Sequence, residues 1–270
     1  MKVNRTTVAN ATENFNNAES HDKPMIPANK DRFWSKLIEP WVYWLIEHTF
    51  SSVRIKNKEN LNLANPNYAS LFYGNHSCFH DGQVAYYICR KVFNANFHMM
   101  IQELYKLPLL SKIGGFSVEK ESPLEALKSI NYAVNLLKDS KNMVWIFPQG
   151  RVMPPDYRPI KFESGLSYIS HKVGGVNLFP VSIRYTYVRE VRPEIFAEIG
   201  EPIIIENGVS NKKEFTQFLE EDFTNLAETQ IEKISQGKLD DYEFIYKSKA
   251  PIFKRFEPFL KYIFFDRRYL

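Results

Sequence analysis

The stretch Ala69-Ser70-Leu71-Phe72-Tyr73-Gly74-Asn75-His76-Ser77-Cys78-Phe79-His80-Asp81 joins a short apolar run to a turn dense in polar groups. Ala69 to Tyr73 reads as a strand, brief and rich in aromatic and aliphatic side chains. At its mouth stands a histidine with an aspartate five positions on. Such a carboxylate can hold an imidazole in the tautomer whose other nitrogen is free to take a proton, which makes His76 a candidate general base and Asp81 its orienting partner. A pair of this kind arises easily by chance, so its meaning depends on its surroundings.

On either side, short apolar runs bounded by turn residues alternate with helical periodicity. Candidate strands are Leu71 to Tyr73, Phe97 to Ile101, Phe116 to Val118, Val144 to Phe147, Leu178 to Tyr185, Phe196 to Ile199 and Ile203 to Ile205. Pro123 to Lys138 places Leu124, Leu127, Ile130, Val134 and Leu137 at helix spacing behind the start signal Ser122-Pro123. Lys212 to Ile234 does the same with Phe215, Phe218, Leu219, Phe223, Leu226, Ile231 and Ile234. Strands alternating with helices imply an α/β fold with a mostly parallel central sheet flanked by helices. Ligands gather at the carboxyl ends of strands in such sheets, and Asn75 to Asp81 follows one.

A chain of 270 residues, 44% hydrophobic, holds one sizeable domain with a buried core. The formal charge of +4 suits anionic lipid or anionic ligands and is too mild to argue for nucleic acid. Two cysteines, Cys78 and Cys89, form neither a disulfide framework nor a metal clip, so a reducing compartment is expected.

Residues 1–30 are polar, without apolar periodicity, and read as a disordered segment. No run of eighteen uncharged apolar residues occurs, so no spanning helix is expected. Residues 31–55 read as an amphipathic helix lying in a membrane surface. Trp34, Leu37, Ile38, Trp41, Trp44 and Leu45 fall on one stripe, and Lys36, Glu39 and Glu47 oppose passage through hydrocarbon. The alternative is an aromatic helix packed on the core, and Pro40 would begin or kink it in either setting. Residues 246–270 form a basic aromatic tail in which phenylalanines alternate with Lys254, Arg255, Lys261, Arg267 and Arg268, again suited to an anionic bilayer.

Four chemistry-bearing pieces sit at the ends of expected strands: Asn75-His76 with Asp81; Gly114-Gly115-Phe116-Ser117-Val118-Glu119-Lys120; Phe147-Pro148-Gln149-Gly150-Arg151; and Phe179-Pro180-Val181. Singly, each has a bland reading as a turn or a solvated charge. Together, in this order, they resemble the glycerolipid acyltransferase family, which includes the lysophosphatidic acid enzymes and the tafazzin-like transacylases. Its blocks are Asn-His-x4-Asp, Gly-x-x-Phe-x-x-Arg or close variants, Phe-Pro-Glu-Gly followed by Thr-Arg or another basic pair, from which Arg151 departs by arriving one position early, and a Val-Pro-Val type strand. The resemblance covers about residues 57–206 and implies a single acyltransferase domain, placed at 56–245.

The resemblance implies transfer of a fatty acyl group from a thioester, acyl-CoA or acyl carrier protein, to a hydroxyl of a lipid acceptor, with lysophosphatidic acid the leading acceptor. His76 would be the base and Asp81 its orienter; Asn75, Lys120, Phe147, Pro148, Gln149, Gly150 and Arg151 would contact substrate. No cofactor and no metal are implied. An oxyanion must be stabilised, and backbone N–H groups near Gly150 are the natural donors. The expected place is peripheral or monotopic, on the cytoplasmic face of a membrane. Lys120 replaces the family's Arg, and Gln149 replaces its Glu, leaving an amide that cannot pair with a cation. Hence a glycolipid, an amino-acid lipid or a carotenoid glycoside is an alternative acceptor. Arg151, Arg158, Lys161 and Lys120 are candidate phosphate clamps. Phe72, Phe79, Tyr86 and Tyr87 are candidates to line an acyl tunnel.

Three rival chemistries stay open on residues alone. His76 and His80 with distant His98 or His171 would be the ligands of a metal hydrolase. Cys78 would be the nucleophile of a thioesterase. The Gln149 change suggests an inactive lipid-binding relative.

Overall fold

The structure, a computed structural model, describes residues 24–188 and 190–248. Its centre is a nine-stranded sheet: β1 (Ser52–Lys56), β2 (Ser70–Gly74), β3 (Asn96–Gln102), β4 (Gly115–Val118), β5 (Asn142–Ile146), β6 (Val176–Thr186), β7 (Glu194–Ile199), β8 (Ile203–Ile205) and β9 (Glu243–Lys247). The spatial order is β4-β3-β5-β2-β6-β7-β1-β9, with β8 beside β6. Five of the ladders are parallel and three antiparallel, which bears out the mostly parallel α/β sheet. Parallel pairing of β2 with both β5 and β6 brings the carboxyl ends of these strands, and the turns that follow, to one edge.

Period-two alternation sends β2 into two cores. Phe72 faces one layer, stacked on Phe179 at 4.8 Å and Trp145 at 5.7 Å. That layer is closed by α1 (Arg32–Thr49) and α2 (Asp81–Lys91). Leu71 and Tyr73 face the other, closed by α3 (Pro123–Leu136), α4 (Gly165–Val173) and α5 (Lys212–Ser235). Gly74 ends β2 without a side chain because a Cβ there would lie 2.9 Å from the Val181 carbonyl oxygen.

The terminal segments differ from the sequence expectation in four respects. Within the segment expected to be disordered, residues 24–30 form an ordered strap along β4. Ile26 N–H donates to Ser117 Oγ, Ser117 N–H donates back to the Ile26 carbonyl, and Ala28 N–H reaches Tyr132 Oη. Helix α1 ends at Thr49, and Ser52–Lys56 is sheet strand β1, because Val53 and Ile55 alternate into the core. Likewise, Tyr246 and Lys247, assigned to the tail, complete β9. Finally, α1 packs on the core along one face and leaves an apolar stripe exposed on another. Ile38, Val42 and Ile46 are buried on the core, contributing on the order of 5–8 kcal/mol as an upper estimate. The exposed apolar stripe is Phe33, Leu37, Trp41 and Trp44, which keeps three residues of the expected one and adds Phe33. Pro40 lies inside α1, which continues through it. Residues 1–23 and the remainder of the expected tail, 249–270, fall outside the described residues. Among the described residues no helix is long and apolar enough to cross a membrane.

Candidate active site

The turn after β2 carries the imidazole, and α2 begins with the carboxylate. His76 Nδ1 lies 2.8 Å from Asp81 Oδ2. Asp81 is fully buried, whereas the His76 side chain retains 26% exposure, so the ring is held from behind and open in front. Asp81 Oδ2 also accepts the backbone N–H groups of Ser77 and Cys78, while Tyr185 Oη donates to Oδ1 at 2.6 Å. A carboxylate this deeply buried needs such donors, and they fix its orientation. Burial and the Asp81 charge push the Tyr185 phenol well above its usual value, which keeps it a donor.

The His76 backbone is fixed as firmly as its ring. Its N–H donates to Gln149 Oε1 at 2.7 Å, and its carbonyl accepts from Met153 N–H at 2.8 Å. Phe147 stacks on the imidazole with ring centroids 4.7 Å apart. Asn75 bridges to β6: its amide nitrogen donates to the Ile183 carbonyl and to Ser77 Oγ, and its oxygen accepts from Ile183 N–H. Asn75 and Gln149 therefore hold the loop that carries His76.

The third block turns at Gly150, whose φ of +68° suits glycine. Its N–H donates to the Phe147 carbonyl at 3.0 Å, so the Gly150 N–H itself is engaged in the turn rather than presented to an oxyanion. Lys120 Nζ donates to the Gly150 carbonyl, tying the second block to the third. Burial and neighbouring Arg151 lower the Lys120 pKa against the opposing pull of Glu163. Lys120 and exposed Arg151 thus form a cationic pair beside the turn. Pro148 is buried in the same turn, and its carbonyl accepts from Glu163 N–H.

Other candidates lie elsewhere or are already occupied. Arg158 pairs with Glu228 and Lys161 with Glu220, both on α5. Phe72, Tyr86 and Tyr87 are packed in the core, leaving Phe79 exposed. His98 is buried in β3, and His171 Nδ1 meets the Val209 carbonyl. Among the described residues no group of three metal-ligating side chains forms around His76 and His80. Burial and Asp81 raise the Cys78 thiol pKa, which makes it a poor nucleophile. Tyr185 was missed in the sequence because nothing at 104 residues' remove marks it as a partner of Asp81.

At the carboxyl edge of a mostly parallel sheet stands an imidazole backed by a buried carboxylate, an arrangement with the chemistry of a general base. Residues 52–184 match the family model described as Acyltransferase, a span that contains all four blocks. By this match residues 52–184 are similar to an acyltransferase domain. Comparison with curated proteins finds no match. Among solved structures the chain is similar to the 1-acyl-sn-glycerophosphate (LPA) acyltransferase PlsC from Thermotoga maritima, at 23% identity and a TM-score of 0.54, over 72% of this chain and 78% of that one. That likeness carries the fold.

Proposed function

We propose that the protein transfers a fatty acyl group from an acyl thioester to a hydroxyl of a lysolipid, with His76 as general base. The observation that carries this reading is the 2.8 Å contact of His76 Nδ1 with buried Asp81, which leaves Nε2 of a part-exposed ring free to accept a proton. The acceptor hydroxyl gives its proton to Nε2 as its oxygen attacks the thioester carbonyl. The tetrahedral intermediate then collapses, the ester forms, and the thiolate leaves with the proton from His76. No protein nucleophile and no cofactor enter this scheme; the thioester, acyl-CoA or acyl carrier protein, is a substrate.

Lysophosphatidic acid is the acceptor that the cationic pair Lys120 and Arg151 suits best, since a phosphate monoester pairs with two cations. A glycolipid, an amino-acid lipid or a carotenoid glycoside would place less charge there. The exposed stripe Phe33, Leu37, Trp41 and Trp44 supports a seat on the membrane surface, peripheral or monotopic and on the cytoplasmic side, where acyl donors are made.

The test is turnover of labelled acyl-CoA with lysophosphatidic acid in mixed micelles. Replacing the base in His76→Ala is expected to lower kcat at least about a hundredfold with unchanged melting temperature. Equal turnover by the two proteins removes the mechanism. Lys120→Gln with Arg151→Gln is expected to raise KM for the phosphorylated acceptor by about tenfold or more.

A further inference from the structure

Helix α1 has a third face. Besides the buried Ile38 side and the exposed aromatic stripe, Arg32, Ser35, Lys36, Glu39 and Tyr43 line a cavity of about 730 Å³. Its other walls come from Lys30 on the strap, Tyr86 and Arg90 on α2, and the first residues of β3. Asp81 opens α2 and Arg90 lies in its last turn, so at the helical rise the cavity is roughly 14 Å along the helix from the catalytic carboxylate. It is a separate place.

Its chemistry is that of an anion site. Lys30, Arg32, Lys36 and Arg90 bring four positive charges against the two of Asp31 and Glu39. Both carboxylates are already engaged. Asp31 caps α1 by accepting from Phe33 and Trp34 N–H, and Glu39 holds Arg90 at 3.1 Å and the Tyr43 and Tyr86 hydroxyls. Lys30 Nζ meets a neutral partner, Asn96 Oδ1 at 2.5 Å, and its stem lies over Gly114, where a Cβ would stand 2.9 Å from Lys30 Cε. Burial and the Arg90 charge bring the Lys30 pKa down to about 8, as expected of an ammonium held beside another cation without a counter-charge.

We propose that this cavity binds the phosphate of an anionic phospholipid headgroup while the adjacent stripe of α1 lies among acyl chains. The lipid source is favoured over free phosphate by continuity: on the same helix the cationic face of Lys36 runs directly into the exposed apolar face of Phe33, Leu37, Trp41 and Trp44. The inference rests on the proposed seat of α1 at the membrane.

Co-sedimentation with vesicles of pure phosphatidylcholine, and of phosphatidylcholine containing 30% phosphatidylglycerol, tests both readings separately. The wild-type chain is expected to favour the anionic vesicles, and Lys30→Gln with Lys36→Gln to reduce that preference roughly twentyfold while leaving affinity for neutral vesicles unchanged. The control Lys212→Gln with Lys213→Gln, which removes the same charge from α5, is expected to keep the preference. Failure of the wild-type chain to bind any vesicle overturns the membrane seat. Binding without a preference, a preference that survives in the Lys30 and Lys36 variant, or one lost equally in the control overturns the headgroup site alone. A melting-temperature rise with inorganic phosphate but no phosphatidylglycerol preference assigns the cavity to free anions and overturns the lipid reading.

Discussion

Asp81 shows how completely one side chain can be specified. Oδ2 receives the imidazole and two backbone N–H groups, and Oδ1 receives the Tyr185 phenol. In Asp81→Asn, an amide nitrogen facing these donors would leave at least one unpaired, at a cost of about 1–3 kcal/mol, and would no longer favour the tautomer that the proposed mechanism needs. Its kcat is expected to fall by about a thousandfold or more in a single-turnover assay. Tyr185→Phe removes one hydrogen bond from the carboxylate and leaves the rest. Since such a bond contributes about 1–1.5 kcal/mol, kcat should fall about five- to tenfold with KM unchanged, and a KM effect alone would exclude a positioning role. His76 and Asp81 were legible because five residues separate them and a strand precedes them. Tyr185, Asn75 and Gln149 were not legible in these roles, since their partners lie on other strands and a residue's type does not reveal which of its hydrogen-bonding groups the fold has already used.

Among the elements, strands β2, β5 and β6 could be read from their apolar runs because they are buried on both faces, and α3 and α5 from their spacing. Helix α2 was missed for a physical reason. Val84 through Cys89 are buried all around, so no polar face gives the helical period. In α4 the buried Ser167 and Ser170 dilute the apolar side: Ser167 bonds Thr216 on α5, and Ser170 bonds the Leu166 carbonyl. Strands β1 and β9 are short and bear charges, among them Arg54 and Lys56, whose carboxylate partners Glu194 and Glu198 come from β7. The α1 stripe carries its own expectation. Trp41→Ser with Trp44→Ser should weaken vesicle binding by about tenfold or more, since each indole forfeits burial worth more than 1 kcal/mol, while the melting temperature holds because both are exposed in the free chain.

For the whole molecule, the acid limit of stability should carry the mark of His98. Burial, with the Lys30 charge, lowers its pKa from 6.5 to about 4, and its Nδ1 has no hydrogen-bond partner. Because the folded value is depressed, the unfolded chain binds the proton first. Stability is fully present above pH 6.5 and drains away as pH falls towards 4. His98→Gln is expected to lose about 2 kcal/mol less than wild type between pH 7 and pH 5 by urea titration, and equal losses would refute that account. The fold and the His76–Asp81 pairing were thus available from the chain itself, while the strap, the cavity and the hydrogen bonds behind Asp81 needed three dimensions. The unequal lengths of β2 and β6 bear on stereochemistry. β2 stops at Gly74 opposite Val181, and β6 continues to Thr186, backed by β7. The imidazole therefore stands between unlike walls, a protruding strand on one hand and the Phe147 ring on the other. An entering alcohol meets a handed cleft, so from racemic lysolipid one enantiomer should be consumed first and its mirror image left behind.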